Sequence, residues 1–175
     1  MFEKYPNLTP LQRSILSSTG TVQSLLSAIF KKPVIAKVIS QRDVAGAYIR
    51  WVRLCYPSAN YTRTPSVTVT ASPDPDETPY FPYSSTTRTE DVTVALAESI
   101  FPHELNNNEI LDELRKGEEG GIGQVLVKKG IRTEREILGI YVDDNVFTRT
   151  YRLSGNGVDA IITEVFPNNV FKGIK

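Results

Sequence analysis

One acidic residue, Glu164, sits inside an otherwise apolar run, Ala160-Ile161-Ile162-Thr163-Glu164-Val165-Phe166-Pro167. A carboxylate in such a strand must be paired, protonated or wetted by a ligand, because an unpaired buried charge is too costly to keep. Upstream, residues 146–153 read as a second strand, and Ser154-Gly155-Asn156-Gly157 joins the two. Asn-Gly is the strongest short-range signal for a two-residue hairpin turn. With Asn156 and Gly157 as the loop, Gly155 faces Val158, and counting outward sets Arg149 opposite Glu164. Phe147, Tyr151, Leu153, Ala160, Ile162 and Phe166 share that face. One arginine and one glutamate in an apolar wall suit a small anionic aromatic ligand. The competing reading is a structural ion pair, which perturbs the same groups without any ligand.

Other chemistry is sparse. Gly120-Gly121-Ile122-Gly123 precedes a helical stretch, a place where backbone N–H groups receive carboxylates and phosphates. Its spacing is neither that of a phosphate-binding loop of nucleotide hydrolases nor that of a dinucleotide fingerprint. Arg50 and Arg53 lie mid-strand on opposite faces, with Trp51 between them. A strand arginine either snorkels to the edge or holds a carboxylate in bidentate fashion. Glu98 ends one apolar strand and Glu136 begins another, and both fit ordinary solvated positions, as do Lys128 and Lys129 at a helix end. A single histidine, His103, and a single cysteine, Cys55, leave no metal cluster, disulfide or Ser-His triad to build, and His103 reads as a surface residue.

Composition narrows the class. The chain has 175 residues, long enough for one domain with a real core. Its 20 basic and 20 acidic residues cancel, which argues against a nucleic-acid partner, whose footprint is a clustered basic excess. No apolar run approaches the ~20 residues of a membrane span. The start, Met1-Phe2-Glu3-Lys4-Tyr5-Pro6, lacks the pattern of a signal peptide. A cytoplasmic location is the expectation. Oligomeric state is not written in these features.

The elements that must position these residues follow from punctuation and period. Thr9-Pro10 reads as an N-cap with proline at the first helical position, opening a short helix to about Ser17. After Ser18-Thr19-Gly20, Thr21 caps a second helix with Val22, Leu25, Leu26 and Ile29 on one stripe. Strands are expected at 33–40, 47–56, 92–100 and 134–142, and helices at 108–116 and 124–129, the last closed by Gly130. Residues 57–91 carry six prolines among Ser, Thr and Asp and read as a long insertion with one short strand at 67–70. Hairpin connections dominate and no βαβ alternation is visible. The expected fold is α+β, with about six antiparallel strands backed by short helices.

The order of these pieces resembles the chorismate pyruvate-lyase family, in particular its archaeal and cyanobacterial branch. The matching residues are Leu8-Thr9-Pro10-Leu11-Gln12-Arg13, Thr19-Gly20-Thr21-Val22, Trp51-Val52-Arg53 and Ala97-Glu98-Ser99-Ile100-Phe101-Pro102. They continue with Ile122-Gly123, Glu134-Arg135-Glu136-Ile137, Arg149-Thr150-Tyr151-Arg152 and Thr163-Glu164-Val165-Phe166-Pro167. The likeness spans nearly the whole chain outside 57–91, and order and spacing carry it.

The resemblance implies an enclosed ligand cavity beneath helical flaps and cofactor-free cleavage of chorismate to 4-hydroxybenzoate and pyruvate, feeding quinone synthesis. It implies that Arg53 holds the ring carboxylate, with a share taken by backbone N–H groups near Ile122 and Gly123. Arg149 and Tyr151 would complete the substrate site. Glu164 would sit by the oxygen that becomes the product's hydroxyl, suited to donate or share the one proton the reaction moves. Three departures are visible. Glu98 stands where many bacterial lyases have arginine, the long insertion replaces a short hairpin, and a register slip would put Arg50 in place of Arg53. The alternatives are a non-catalytic domain sensing a small aromatic carboxylate, and a structural protein in which Arg149 and Glu164 are only a salt bridge.

Overall fold

The computed structural model describes residues 2–58, 91–117 and 121–174. The expected strand at 67–70 lies outside them. Helix α1 spans Pro10–Ser17, α2 Val22–Phe30, α3 Asn108–Lys116, α4 Ile122–Lys128 and α5 Asn168–Phe171. Strands β1 (Ile35–Val44), β2 (Ala47–Pro57), β3 (Asp91–Pro102), β4 (Glu134–Val142), β5 (Val146–Gly155) and β6 (Val158–Pro167) form one antiparallel sheet in the order β1-β2-β3-β6-β5-β4. This is the expected α+β class. No helix among the described residues is long and apolar enough to cross a membrane.

Local chemistry accounts for the ends. Thr9 caps α1 as half of a capping box: its hydroxyl accepts from Gln12 N while the Gln12 side chain accepts from Thr9 N. The β5–β6 turn has Asn156 at φ 50° and Gly157 at φ 78°, the left-handed pair that a tight hairpin demands. Its register is the one counted from the sequence, with Gly155 on Val158 and Arg149 on Glu164. The β1–β2 hairpin differs from expectation. β1 runs on to Val44 and turns at Ala45 (φ 44°) and Gly46 (φ 84°). An alanine in the left-handed region carries no sequence signal for a turn, which is why the strand read four residues short.

The helices cover one face of the sheet, and that face holds two apolar clusters. Around α1, α2 and α5, Leu16, Leu26, Leu54, Phe147, Phe166 and Phe171 pack together, with Phe147 stacked on Phe166 at 5.0 Å between ring centroids. Around α3 and α4, Tyr48, Phe101, Leu111, Leu114, Leu153 and Ile162 form the second. Between them each central strand carries a different kind of residue: Arg50 on β2, Ser99 on β3, Glu164 on β6 and Arg149 on β5, all buried. Alternation with period two forces this belt onto the inward face, because Tyr48, Leu54, Phe147 and Phe166 must point there.

Alternation equally sends Glu98, cross-strand from Trp51 and Thr163, to the opposite face. There burial pushes its carboxyl up from the ordinary glutamate value, against the opposing pull of Arg42 and of a hydrogen bond from Trp51. Since the folded chain holds this proton more tightly than the unfolded one, the penalty is full above the folded value and disappears in acid. Glu98→Gln is therefore expected to raise the melting temperature at neutral pH, with the gain vanishing as pH falls through the usual carboxylate range. Thermal melts of both proteins across pH check it; a gain that grew in acid would contradict it.

Candidate functional site

Glu164 is paired, from two sides. Arg149 Nε donates to Glu164 Oε2 at 2.6 Å, and the Tyr151 hydroxyl donates to Oε1 at 3.0 Å. Both carboxylate oxygens thus act as acceptors. In this arrangement its two neighbours present N–H and O–H to it. Burial, with the Glu164 charge adding to it, pushes the Tyr151 hydroxyl far up, so it remains a donor.

Among the described residues Arg149 lines neither the cleft nor the groove described below. Fully buried, it donates through Nη1 to the carbonyls of Ile15 at 2.8 Å, Leu16 at 3.3 Å and Ser18 at 2.9 Å. These are the orphan carbonyls at the end of α1, where a cation is also favoured by the helix dipole. In this structure it holds Glu164 and ties α1 to the sheet, while its buried Nη2 has no partner among the described residues. The structural ion pair and a site-positioning role coincide in one residue.

A narrow cleft opens between the clusters, lined by Arg50, Ser99, Arg135, Tyr151 and Glu164 from the sheet, and by Thr21, Gln23, Ile122 and Gly123 from the ends of α2 and α4. Ile122, Gly123, Tyr151 and Glu164 thus meet where the sequence places them. Arg53 does not join them. It lies on the other face of β2, cross-strand from Lys37 in the neighbourhood of the Lys37–Asp91 ion pair. Arg50, in register with Ser99, takes its place. The arginine of the pocket is one and a half strand repeats away from the one expected.

Arg50 is only 4% exposed, and its Nη2 donates to the Gly117 carbonyl at 3.3 Å while its Nε has no partner among the described residues. No acidic side chain pairs with it among the described residues, and burial lowers its hold on the proton from the usual arginine value. Gln23 Oε1 is a second buried polar atom without a partner in the same lining, its Nε2 being held by the Val34 carbonyl at 2.8 Å. A buried donor and a buried acceptor left open mark a place where a polar guest is stabilising. Arg135, also undetected from sequence, donates to the Gly20 carbonyl at 2.6 Å with its guanidinium 4.9 Å from the Tyr151 ring centre.

The cleft has a volume of about 50 Å³. At ~30 Å³ per molecule, that holds one or two waters, far below the roughly 300 Å³ at which ligand pockets begin. The cavity sized for a benzoate is thus not formed in this conformation. What closes it is the contact of α4 with the start of α2. A Cβ added at Gly123 would stand 2.6 Å from Thr21 Cγ2, so only glycine permits this approach. A wider groove of about 710 Å³ lies between α1, the β4–β5 turn and α5, but no buried charge faces it. Among the described residues no group of His, Cys, Asp and Glu is placed to hold a metal.

No family model matches the chain, and no curated protein matches it significantly.

The pair at the centre of the site has a measurable signature. Arg149→Met and Glu164→Leu should each cost ~3–5 kcal/mol, because each leaves a buried charge alone. The double replacement should cost clearly less than the two combined, by roughly 2 kcal/mol or more, in a denaturant double-mutant cycle. Additive losses would mean that the two side chains do not depend on each other.

Proposed function

We propose that this chain binds a small aromatic carboxylate between its two apolar clusters and cleaves chorismate to 4-hydroxybenzoate and pyruvate. The observation that carries the reading is Arg50, a buried guanidinium with an open Nε and no acidic partner among the described residues, in the same lining as Glu164. An arginine in that position is completed by a carboxylate in charge-assisted, two-point contact. Glu164, fixed by Arg149 and Tyr151, then offers an oriented acceptor to the hydroxyl end of the same ring. Apolar neighbours such as Val52, Leu54 and Ile162 supply the walls.

The chemistry asks little more. The ring carbon bearing the hydroxyl loses its hydrogen as a proton, and that electron pair completes the aromatic ring. The adjacent C–O bond breaks, and its oxygen leaves with the enolpyruvyl group. The methylene of that group takes up a proton and becomes the methyl of pyruvate. Atoms and charge balance without an added reductant or oxidant, and the driving force lies in aromatisation. Holding the substrate in a reactive pose and keeping water out are what remain for the protein. Entry requires α4 to part from the start of α2, since the present cleft is too small for the ring.

Purified protein given chorismate should release pyruvate and 4-hydroxybenzoate in equal amounts. Tight 4-hydroxybenzoate binding without turnover would support a sensing domain instead, and absence of both would remove the proposal. Arg50→Ala should weaken 4-hydroxybenzoate binding roughly ten- to a hundredfold, the loss of a hydrogen-bonded charge pair. Arg53→Ala, on the other face of β2, should leave the affinity within about a factor of three. Calorimetric titration separates the two, and the reverse order would put the ligand on the wrong side of the sheet.

A further inference from the structure

Among the described residues, the charges that line the cleft do not cancel. Glu164 is matched by Arg149. That leaves Arg50 at one end and Arg135 at the other, neither with an acidic partner among the described residues. Glu134 and Glu136, the acidic neighbours of Arg135 in sequence, sit on the exposed side of the strand. Arg135 is half-buried, and among the described residues only its Nη1 is used, on the Gly20 carbonyl. Its guanidinium stands 4.9 Å from the centre of the Tyr151 ring, the same ring whose hydroxyl holds Glu164. A guanidinium held over an aromatic ring can still offer its remaining N–H groups to an anion.

The two cationic groups come from well-separated strands. Arg50 is on β2 and Arg135 on β4, four strand spacings apart in the sheet order, or roughly 19 Å between backbones. Both side chains nevertheless line one cleft, so they reach inward from opposite sides, with Tyr151 and Glu164 between them. A site with two uncompensated positive charges at its ends is complementary to a ligand with two separated negative ones.

We infer that Arg135 is a specificity-determining residue that takes the second carboxylate of a dianionic ligand, while Arg50 takes the first. The inference rests on the proposed lyase reading and deepens it. Chorismate carries one carboxylate on the ring and one on the enolpyruvyl group, and only the first stays with the aromatic product. Cleavage therefore takes from the ring the anion that Arg135 holds. The substrate is then held at two charged points and 4-hydroxybenzoate at one.

The test compares two probes on three proteins. Chorismate, followed by its KM and by initial-rate pyruvate release, reports on the dianion. Titration with 4-hydroxybenzoate reports on the monoanion. Arg135→Met should raise the KM for chorismate roughly tenfold or more, the loss of one charge-assisted contact, while the affinity for 4-hydroxybenzoate moves less than about threefold. Arg135→Lys, which keeps the charge, should recover most of the chorismate loss. Equal weakening of both probes would mean that Arg135 acts only by anchoring Gly20, and would overturn the inference, as would an unchanged KM in Arg135→Met. Turnover of chorismate by the unaltered protein beside an unaffected Arg135→Met leaves the lyase reading standing and this inference fallen. If the unaltered protein handles neither probe, both fall.

Discussion

A guanidinium and a carboxylate held inside the sheet, Arg149 against Glu164, is the constraint around which the rest is arranged. Two charges on an apolar face are costly unless strong hydrogen-bonding groups are turned toward them. The chain does this by ending α1 directly over Arg149, so that the carbonyls a helix leaves open become acceptors for the arginine. It also places Tyr151 beside the far carboxylate oxygen. One interaction thereby fixes a helix to the sheet, splits the core into two clusters, and sets an acidic side chain at the edge of the gap between them.

That gap differs from the pair in its balance of charge. Arg149 is compensated by Glu164, whereas among the described residues Arg50 and Arg135 have no acidic partner, and Arg50 is buried. A buried arginine with an open Nε and no acidic partner among the described residues is a cost that an anionic guest would offset. The narrowness of the cleft belongs to the same economy, since a closed site strengthens every electrostatic contact within it. Gly123 against Thr21 is the contact that makes closure this tight.

The hairpin that carries the pair was legible because the signals were local. Asn156-Gly157 specifies the turn, the turn specifies the register, and the register sets Arg149 on Glu164. The capped start of α1 was legible for the same reason. Arg50 against Arg53 was not. Both faces of β2 carry apolar residues, Val52 and Leu54 on one and Ile49 and Cys55 on the other. Which face turns inward is decided by pairing with β3, more than forty residues away in sequence. Arg135 was hidden by a bulge in β4 between Ile137 and Gly139, which leaves Leu138 exposed and breaks simple alternation. Glu98, read as a lost positive charge in the site, lies on the far face and does not alter the charge of the cleft. Gln23 gave no signal at all, because an isolated glutamine on a helix reads as surface.

The most direct measurement is an experimentally determined structure of the protein with 4-hydroxybenzoate. The account predicts the cleft widened between α2 and α4, the ligand carboxylate on Arg50 and its hydroxyl on Glu164, with the Arg149–Glu164 contact retained. A ligand seated on the Arg53 face of β2, or one that reached Glu164 only by displacing Arg149, would contradict it.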